Sequence, residues 1–373
     1  MMPSAYAEAG VDYTRLQPFK DKIKAMAART LEFPAHRHVV ASASAHCGSL
    51  QYTGPHAYRI GATIEGLGNK NWVAEWMYKY AGTGRTYYDG IGIDMLMMAT
   101  NDLIAAGYMP VCYLDLVVVG LDSWFLDERR ADDFIESLYR GLEMTGMALI
   151  AGETPAYKYL VRSQDPVESA PTLDGTAIGI LAPLSRGVDD KNVAVGDTII
   201  AVRSSGMHAN GASLVFQKGL ELPDKFLTEL PNGNSLGDEI LIPTMNYLPL
   251  VEAILDAHIE VHGFLPATGD GVAKVAFDKS ERTYRVHDWW EYGTIPELFR
   301  FMHEQCGVGL EDCLKTFNWG TGYYIFVHPD DVSFTLQVIA NAGFDAMVVG
   351  RVEEGQRQTI FEPSGIVLPP PGE

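Results

Sequence analysis

The chain has 373 residues, of which 47% are hydrophobic and 20% are charged. This is ordinary globular composition, which excludes a disordered or low-complexity chain, and the length predicts about two domains. Asp and Glu outnumber Lys and Arg by 48 to 28, giving a formal charge of −20. Such a field repels phosphate backbones and anionic lipids, so nucleic acids and membrane surfaces are poor candidate partners.

The sequence carries no sign of a membrane segment or a metal-binding cysteine framework. No run of about 18 apolar residues is present, and the N-terminus MMPSAYAEAG lacks the basic and apolar parts of a signal peptide. The four cysteines form no CxxC pair, and no His/Cys cluster has zinc spacing. These features predict a cytoplasmic protein without a disulfide framework or a zinc site.

Hydrophobic periodicity predicts helices and strands in alternation along the chain. The predicted helices span 15–33 (with a basic outer face), 91–107, 130–146, about 211–220, 245–257 and 332–343. The predicted strands span 58–64, 111–119, 147–150, 176–181, 197–202, 323–327 and 346–352. Residues 36–58 and 157–172 are polar without a clear period, which predicts loops. The alternation indicates an α/β or α+β fold with helices on the faces of sheets. The charged, Gly- and Asp-rich segment 186–195 predicts a boundary between domains 1–185 and 186–373.

Polar residues interrupt an apolar helix in the first predicted domain. Asp94 and Asn101 lie two turns apart on one face, and Asp102 follows directly. An unpaired carboxylate among apolar residues is costly, whereas grouped carboxylates suit Mg²⁺, which takes oxygen ligands. Asp94 alone can equally be a helix N-cap. Asp115 is likewise a carboxylate among apolar residues, in the predicted strand Tyr113–Val117, and it needs a partner. A structural salt bridge is the alternative to a binding role for Asp115.

Glycine-rich loops follow several predicted strands. The string Glu65-Gly66-Leu67-Gly68-Asn69-Lys70 combines an acid, two glycines and a lysine, which suits a phosphate site but is weak alone. The strings of the Walker A loop and of the dinucleotide-binding fingerprint are absent. The loop 204–211 opens a predicted helix, where unpaired N–H groups favour anions, and His208 can move a proton there. A surface loop capped by Asn210 is the alternative. With similar loops at 267–271 and 318–322, these features predict phosphate and Mg²⁺ chemistry.

Several of these strings resemble the aminoimidazole ribonucleotide (AIR) synthetase family, the phosphoribosylformylglycinamidine cyclo-ligases. They occur in the family's order across about residues 58–352. The most specific are Gly92-Ile93-Asp94 with Asn101-Asp102-Leu103, and Ser205-Gly206-Met207-His208-Ala209-Asn210-Gly211. Gly152-Glu153-Thr154, Thr268-Gly269-Asp270-Gly271 and Phe317-Asn318-Trp319-Gly320-Thr321-Gly322 are similar to shorter family strings.

The resemblance implies a two-domain fold whose N-terminal halves join into a β-barrel-like homodimer. It implies that ATP activates an oxygen of formylglycinamidine ribonucleotide, after which a nitrogen displaces phosphate and closes the imidazole ring. It also implies site residues. The implied metal ligands are Glu65, Asp94, Asn101 and Asp102, and the implied nucleotide-binding residues are Glu65, Gly66, Gly68, Lys70, Asp115, Thr268 and Gly269. The implied catalytic residues are His208, Asn210, Lys70 and Glu153, with Lys70 as a phosphate clamp and Thr268 and Gly269 also cradling the substrate phosphate.

The sequence departs from the family at four places. Glu65 stands where the family has Asp, and residues 44–50 replace its N-terminal glycine-rich loop. Val272-Ala273-Lys274-Val275 follows the TGDG string in place of Asn-Ile-Pro-Arg, and the loop 157–172 is longer than in the family. Two alternatives therefore stay open. One is another ATP-using member of the superfamily, of the thiamine-monophosphate kinase, selenophosphate synthetase or hydrogenase maturation type; Cys47 resembles the reactive cysteine of selenophosphate synthetase. The other is a dimeric nucleotide-binding paralogue without catalysis.

Overall fold

The computed structural model describes residues 13–44 and 46–372, so the N-terminal string used for the leader prediction lies outside it. Contacts divide the chain into two compact units. The first comprises residues up to Leu103 together with Met109–Pro183, and the second comprises Ile104–Tyr108 together with Leu184–Glu373. The segment Ile104–Tyr108 belongs to the second unit, where the carbonyl of Ala106 accepts a hydrogen bond from the Val188 amide at 3.3 Å. None of the described helices is long and apolar enough to span a bilayer.

The first unit contains a four-stranded sheet and a separate hairpin. Its helices are α1 (Tyr13–Thr30), α2 (Lys70–Tyr80), α3 (Ile91–Ala105) and α4 (Glu128–Thr145). Its strands are β1 (Val39–Ala43), β2 (Gly48–Tyr52), β3 (Arg59–Gly66), β4 (Met109–Val118), β5 (Ala148–Glu153) and β6 (Thr172–Leu181). The sheet order is β3-β6-β4-β5, with β4 and β5 parallel and the other pairs antiparallel.

The prediction of a loop over residues 36–58 was wrong. Strands β1 and β2 pair antiparallel from Val39↔Tyr52 to Ala43↔Gly48. Along β1, Val39 and Ala41 are buried and Val40 is exposed, and Ala41 packs in one cluster with Cys112, Ala148 and Ile150. The alternation is too short and too rich in small residues to be visible as a period in the sequence. Residues 157–171, by contrast, lie outside helices and strands as predicted.

Helix α3 is buried over most of its length and crosses the four-stranded sheet. The hydroxyl of Tyr113 donates to the Met95 carbonyl at 3.0 Å, and that of Thr63 donates to the Ala99 carbonyl at 2.8 Å. Because an apolar helix is most stable when fully covered, burial explains why its sequence is hydrophobic on nearly every face. These two contacts hold the predicted polar residues of α3 above strands β3 and β4.

The second unit contains a seven-stranded sheet in the order β13-β12-β9-β11-β7-β10-β8, where only the β12–β9 pair is parallel among the described strands. Its strands are β7 (Thr198–Arg203), β8 (Val261–Pro266), β9 (Arg282–Val286), β10 (Thr321–Val327), β11 (Ala346–Glu354), β12 (Gln358–Phe361) and β13 (Ile366–Leu368). Its helices are α5 (Ala212–Glu221), α6 (Leu236–Ile240), α7 (Leu248–Asp256), α8 (Glu297–Glu304), α9 (Leu310–Thr316) and α10 (Val332–Asn341). The predicted two-domain α/β fold is confirmed. The elements not assigned from sequence in this unit are β8, β9, β12, β13, α6, α8 and α9, and in the first unit α2 was also missed.

Candidate functional site

One row of residues crosses the four-stranded sheet of the first unit at the predicted nucleotide site. Glu65 pairs with Gly175, Gly175 pairs with Asp115, and Asp115 pairs with Gly152. Residues paired across neighbouring strands point to the same face, and two strand spacings separate the Glu65 and Asp115 backbones by about 10 Å. Two predicted carboxylates thus lie on one face of the sheet, separated by a glycine.

The local structure explains why residues 66 and 68 of the 65–70 string are glycines. A Cβ at Gly66 would lie 2.4 Å from a carboxylate oxygen of Asp174, so only glycine fits beside that side chain. Gly68 has a φ of 72°, a left-handed conformation that glycine adopts without strain. This turn delivers the chain into α2, whose first residue is Lys70.

Lys70 and Asp94 form a fully buried ion pair. The Lys70 Nζ lies 2.9 Å from Asp94 Oδ1 and 2.8 Å from Asp94 Oδ2, and both side chains are 0% exposed. Burial lowers the pKa of the Lys70 ammonium, and the Asp94 carboxylate opposes that shift. Asp94 lies in the first turn of α3, and its own amide donates to the Gly90 carbonyl at 3.0 Å. The alternative of a simple N-cap role for Asp94 therefore does not describe its environment.

Asn101 and Asp102 lie two turns further along α3, with Asn101 5% exposed and Asp102 partly buried. All four predicted metal ligands offer oxygen donors, as a hard cation requires. Over residues 13–44 and 46–372, however, no group of three or more His, Cys, Asp or Glu side chains is close enough to hold a metal ion by itself. A cation held here would need further oxygen ligands from a bound molecule or water.

Asp115 is a buried carboxyl that forms no ion pair with any residue that the structure describes. Its residue is 6% exposed, and its Oδ2 atom has no hydrogen-bond partner within the described part of the chain. The pKa of Asp115 is raised to about 7, mainly by burial and to a smaller extent by the Glu153 carboxylate, while a hydrogen bond from its own backbone N–H opposes the shift. The salt-bridge alternative is wrong for Asp115, since no ion pair joins it to a described residue.

A cavity of about 590 Å³ opens beside Asp115, between α1 and β5. Glu153 lies at its rim, where its exposed carboxylate accepts from the Thr154 amide at 2.8 Å and contacts the Lys20 Nζ at 3.5 Å. Lys20 and Lys24 of α1 line the cavity and were not predicted as site residues. The basic outer face of the first predicted helix was the sequence signal for them.

In the second unit, three predicted loops converge at one end of the sheet. Strand β10 lies between β7 and β8 and is antiparallel to both, so the C-terminal ends of β7 and β8 meet the N-terminal end of β10. The loops 204–211, 267–271 and 318–322 therefore come together. The Asn318 amide links two of them, since its Nδ2 donates to the Gly206 carbonyl at 2.8 Å and its Oδ1 accepts from the Ser204 hydroxyl at 3.2 Å.

His208 and Asn210 lie in the first of these loops. His208 is 4% exposed with a φ of 60°, and its ring centroid lies 6.0 Å from that of Tyr247. A Cβ at Gly322 would lie 2.7 Å from His208 Cε1, so glycine is needed there for the ring to approach β10. The Asn210 Nδ2 is buried without a hydrogen-bond partner among the described residues. An unmet donor beside a histidine is an arrangement that suits a bound anion or carbonyl.

The loop after β8 carries a lysine that sequence analysis did not place in the site. Thr268 accepts a hydrogen bond from the Lys274 Nζ, while Gly269 is exposed. Lys274 lies in the string that replaces the family's Asn-Ile-Pro-Arg. The Ala267 amide donates to the Gly322 carbonyl at 3.0 Å, which fixes this loop beside the start of β10.

Solved structures with similar folds include a kinase and a hydrogenase maturation protein. Thiamine-monophosphate kinase from Stenotrophomonas maltophilia aligns with a TM-score of 0.59 at 18% identity, covering 90% of this chain and 93% of that one. A hydrogenase maturation protein in complex with ATP aligns with a TM-score of 0.52 at 16% identity, covering 84% of this chain and 83% of that one. At these identities the likeness concerns the fold.

Sequence relatives are closer. The phosphoribosylformylglycinamidine cyclo-ligase of Methanothermobacter thermautotrophicus is 30% identical over 343 residues, covering 90% of this chain and 91% of the relative. That of Carboxydothermus hydrogenoformans is 29% identical over 364 residues, covering 95% and 98%. The models named AIR synthase related protein, N-terminal domain and C-terminal domain, match residues 55–181 and 194–362. These matches confirm the resemblance found in the sequence, and the chain belongs to the AIR synthase related protein family.

Proposed function

We propose that this chain is a cyclo-ligase that uses ATP to convert formylglycinamidine ribonucleotide into aminoimidazole ribonucleotide, a step of purine biosynthesis in the cytoplasm. The similarity to cyclo-ligases along nearly the whole chain supports this activity. The observation that carries it in the structure is the convergence of the loops around His208, Thr268 and Asn318 at one end of the second sheet.

In the proposed reaction, the γ-phosphoryl group of ATP passes to the formyl-derived amide oxygen of the substrate, and ADP leaves. A substrate nitrogen then attacks the activated carbon, the carbon–oxygen bond breaks, and inorganic phosphate departs with that oxygen. Positioning and electrostatics supply most of the catalysis in such transfers. The proposed role of His208 is to accept the proton that the attacking nitrogen loses, and Asn210 Nδ2 donates to the activated oxygen.

The first unit is the proposed ATP site, with Gly66 and Gly68 as the turn near the phosphates. Mg²⁺ usually takes one or two protein carboxylates and completes its shell with phosphate oxygens and water, so a preformed three-residue cluster is not required. The proposed ligands are Glu65, Asp94, Asn101 and Asp102. When bound, the ion would neutralise charge on the transferring phosphoryl group.

The buried ion pair sets a condition on this assignment. Lys70 can clamp a phosphate, and Asp94 can ligate Mg²⁺, only if the contact between them opens or is shared with the ligand, since each now satisfies the other. Asp115 and Glu153 complete the proposed polar surface for the nucleotide and the reacting groups. In the second unit, Thr268 and Gly269 are the proposed phosphate cradle, and the Lys274 ammonium adds the positive charge that a protein of charge −20 needs there.

A homodimer formed through the first unit is also proposed. Strand β3 lies at the edge of its sheet, and its Ile60 and Ile64 side chains are 64% and 72% exposed. An exposed apolar edge strand pairs readily with another chain, which fits a barrel built from two copies. Light scattering is expected to give the mass of two chains for the wild type and of one chain for Ile64→Glu. A wild-type monomer would rule out this assembly.

The direct test is release of phosphate from ATP in the presence of formylglycinamidine ribonucleotide, with a control lacking that substrate. We expect phosphate and imidazole product in a one-to-one ratio. Asp102→Asn is expected to lose Mg²⁺-dependent ATP binding while keeping the fold, as judged by circular dichroism. ATP binding without coupled release would instead assign the chain to another activity of the superfamily, and absence of ATP binding would indicate a non-catalytic paralogue.

A further inference from the structure

A second cavity of the first unit lies apart from the residues proposed for ATP, Mg²⁺ and catalysis. Its volume of about 650 Å³ is within the usual range for small-molecule pockets. Residues of α2, of the N-terminal end of α4 and of the segments 121–127 and 167–169 line it. None of the residues proposed above for the reaction belongs to this described lining, so a ligand in this cavity would be additional to those of the proposed reaction.

Arg130 is held rigidly in the lining of this cavity. Its Nη1 donates to Glu75 Oε2 at 2.8 Å, its Nη2 donates to the Trp124 carbonyl, and its guanidinium carbon lies 4.6 Å from the centroid of the Trp124 ring. Glu75 is fixed in turn, since its Oε1 accepts from Trp124 Nε1 at 2.6 Å and from the Tyr88 hydroxyl at 2.7 Å. Turning the guanidinium towards another partner would break these contacts.

Two groups of this lining that can donate hydrogen bonds are unmet. Arg130 is 9% exposed, and its Nε has no hydrogen-bond partner among the described residues. The same holds for the buried hydroxyl of Ser169, which lies in the loop before β6. An unmet buried polar group costs free energy, and both atoms are closed off from bulk water, so a ligand that brings an acceptor to this lining is favoured.

The charges around the cavity favour an uncharged acceptor over an anion. The Arg130 guanidinium is already paired with the Glu75 carboxylate at 2.8 Å. The other charged residues of the lining are Lys79, Asp127 and Glu168, so carboxylates outnumber cations in the described lining. A carbonyl oxygen accepts the same hydrogen bonds as an anion without being repelled by this excess of negative charge.

The rest of the lining includes apolar side chains, among them Leu121, Leu126 and Val167. Leu121 and Leu126 are 41% and 53% exposed. Covering exposed leucine side chains removes apolar surface from water, which stabilises a complex. A ligand that matches all these features has a carbonyl acceptor, no negative charge and an apolar ring or chain.

We propose that this cavity is a binding site for uncharged, apolar carboxamides. The carbonyl oxygen of the ligand accepts from Arg130 Nε and from the Ser169 hydroxyl, and its apolar part covers Leu121 and Leu126. The amide N–H groups face a lining rich in carboxylates, which accept hydrogen bonds. This second ligand site does not rest on the proposed cyclo-ligase activity.

Benzamide and benzoate test the proposal, because they share one ring and differ in the charge of the acceptor group. Ligand-observed saturation-transfer NMR on the full chain measures both affinities. We expect millimolar binding of benzamide, as suits so small a ligand, and about tenfold weaker binding of benzoate. Saturating ATP with Mg²⁺ is expected to leave benzamide bound, since the two ligands occupy different residues.

Three variants connect the binding to this cavity. Ser169→Ala removes one donor and is expected to weaken benzamide binding about fivefold, the factor for one neutral hydrogen bond. Ser42→Ala is the matched control, since the Ser42 hydroxyl is exposed and pairs with that of Ser49 at 2.7 Å, and we expect the wild-type affinity. Leu126→Asp changes an exposed side chain, so it is expected to fold even if Ser169→Ala does not, and to bind benzamide about tenfold more weakly.

Four results would each overturn the proposal. They are a wild type that does not bind benzamide, benzoate binding as tight as that of benzamide, wild-type affinity in both Ser169→Ala and Leu126→Asp, and displacement of benzamide by ATP. Turnover of formylglycinamidine ribonucleotide is measured separately, so the carboxamide site and the cyclo-ligase activity can each fail while the other stands.

Discussion

Replacing Lys70 with methionine removes one half of the buried ion pair while nearly preserving the volume and length of the side chain. The Asp94 carboxylate, now 2.8–2.9 Å from the Lys70 ammonium, would be left 0% exposed without that charge. Removing one partner of a buried ion pair typically costs about 3–5 kcal/mol, because the remaining charge stays desolvated. Against a total stability of about 5–15 kcal/mol, this is a large fraction.

Removing both charges tests whether the loss comes from the buried carboxylate that remains in the single variant. In Lys70→Met/Asp94→Leu both members of the ion pair are replaced by apolar side chains, so we expect most of the lost free energy of unfolding to return. In the single variant the Asp94 carboxyl is most stable in its protonated form, which raises its folded-state pKa above the unfolded value. Its destabilisation should therefore shrink as the pH falls towards the acidic range, where the unfolded carboxyl is protonated as well.

Urea unfolding followed by circular dichroism measures these differences. Lys79→Met is the matched control, since Lys79 is in the same helix but is 47% exposed and contacts Glu168 at 3.8 Å. An exposed pair of this kind contributes about 0–1 kcal/mol. Stabilisation by the buried pair is refuted if Lys70→Met is no less stable than Lys79→Met. It is also refuted if the double variant loses as much free energy of unfolding as Lys70→Met and Asp94→Leu lose together.

Three other changes test the site directly. Asp115→Val removes a carboxyl whose pKa is raised from 3.8 to about 7, mainly by burial. The stability that this carboxyl contributes to the wild type is complete below pH 3.8 and is lost by the time the pH has risen through about 7. Urea titrations should show this variant gaining about 4 kcal/mol relative to the wild type between about pH 4 and about pH 8, and a constant difference would contradict the shift. Gly152→Ala forces a Cβ to within 1.8 Å of Asp115 Oδ1, so calorimetry should show ATP binding weakened about tenfold or more, whereas Gly293→Ala, with no atom within 4 Å, should match the wild type. His208→Asn, chosen because asparagine tolerates the φ of 60°, should lower turnover about 100-fold or more with an unchanged KM for ATP; equal turnover would make His208 a loop residue only.

The sequence alone was sufficient for features that depend on neighbours along the chain. Apolar periodicity located helices such as α4, which begins after Asp127, whose carboxylate accepts from the Arg130 amide at 3.0 Å, and ends at Gly146, with a φ of 68°. The apolar strand around Asp115 and the loop containing His208 were also visible. The motif strings were enough to identify the family, because each motif is a run of consecutive residues.

What depended on contacts between distant residues was decided by the tertiary structure. The β1–β2 hairpin was missed because its stability comes from packing against a cluster that includes Cys112 and Ile150, more than 60 residues away in sequence. Lys70 and Asp94 were both chosen as site residues, but their pairing across 24 positions has no local signature. Asp115 was recognised as a carboxylate in need of a partner.

Within the described residues, the structure leaves Asp115 Oδ2 without a hydrogen-bond partner. It also brings together three loops that the sequence shows only as separate strings. Strand order placed β10 between β7 and β8, although 117 residues separate the end of β7 from the start of β10. Local sequence determines which φ/ψ regions and which faces a segment prefers. The order of strands and the pairing of buried charges follow from the single arrangement in which all those faces are covered at once.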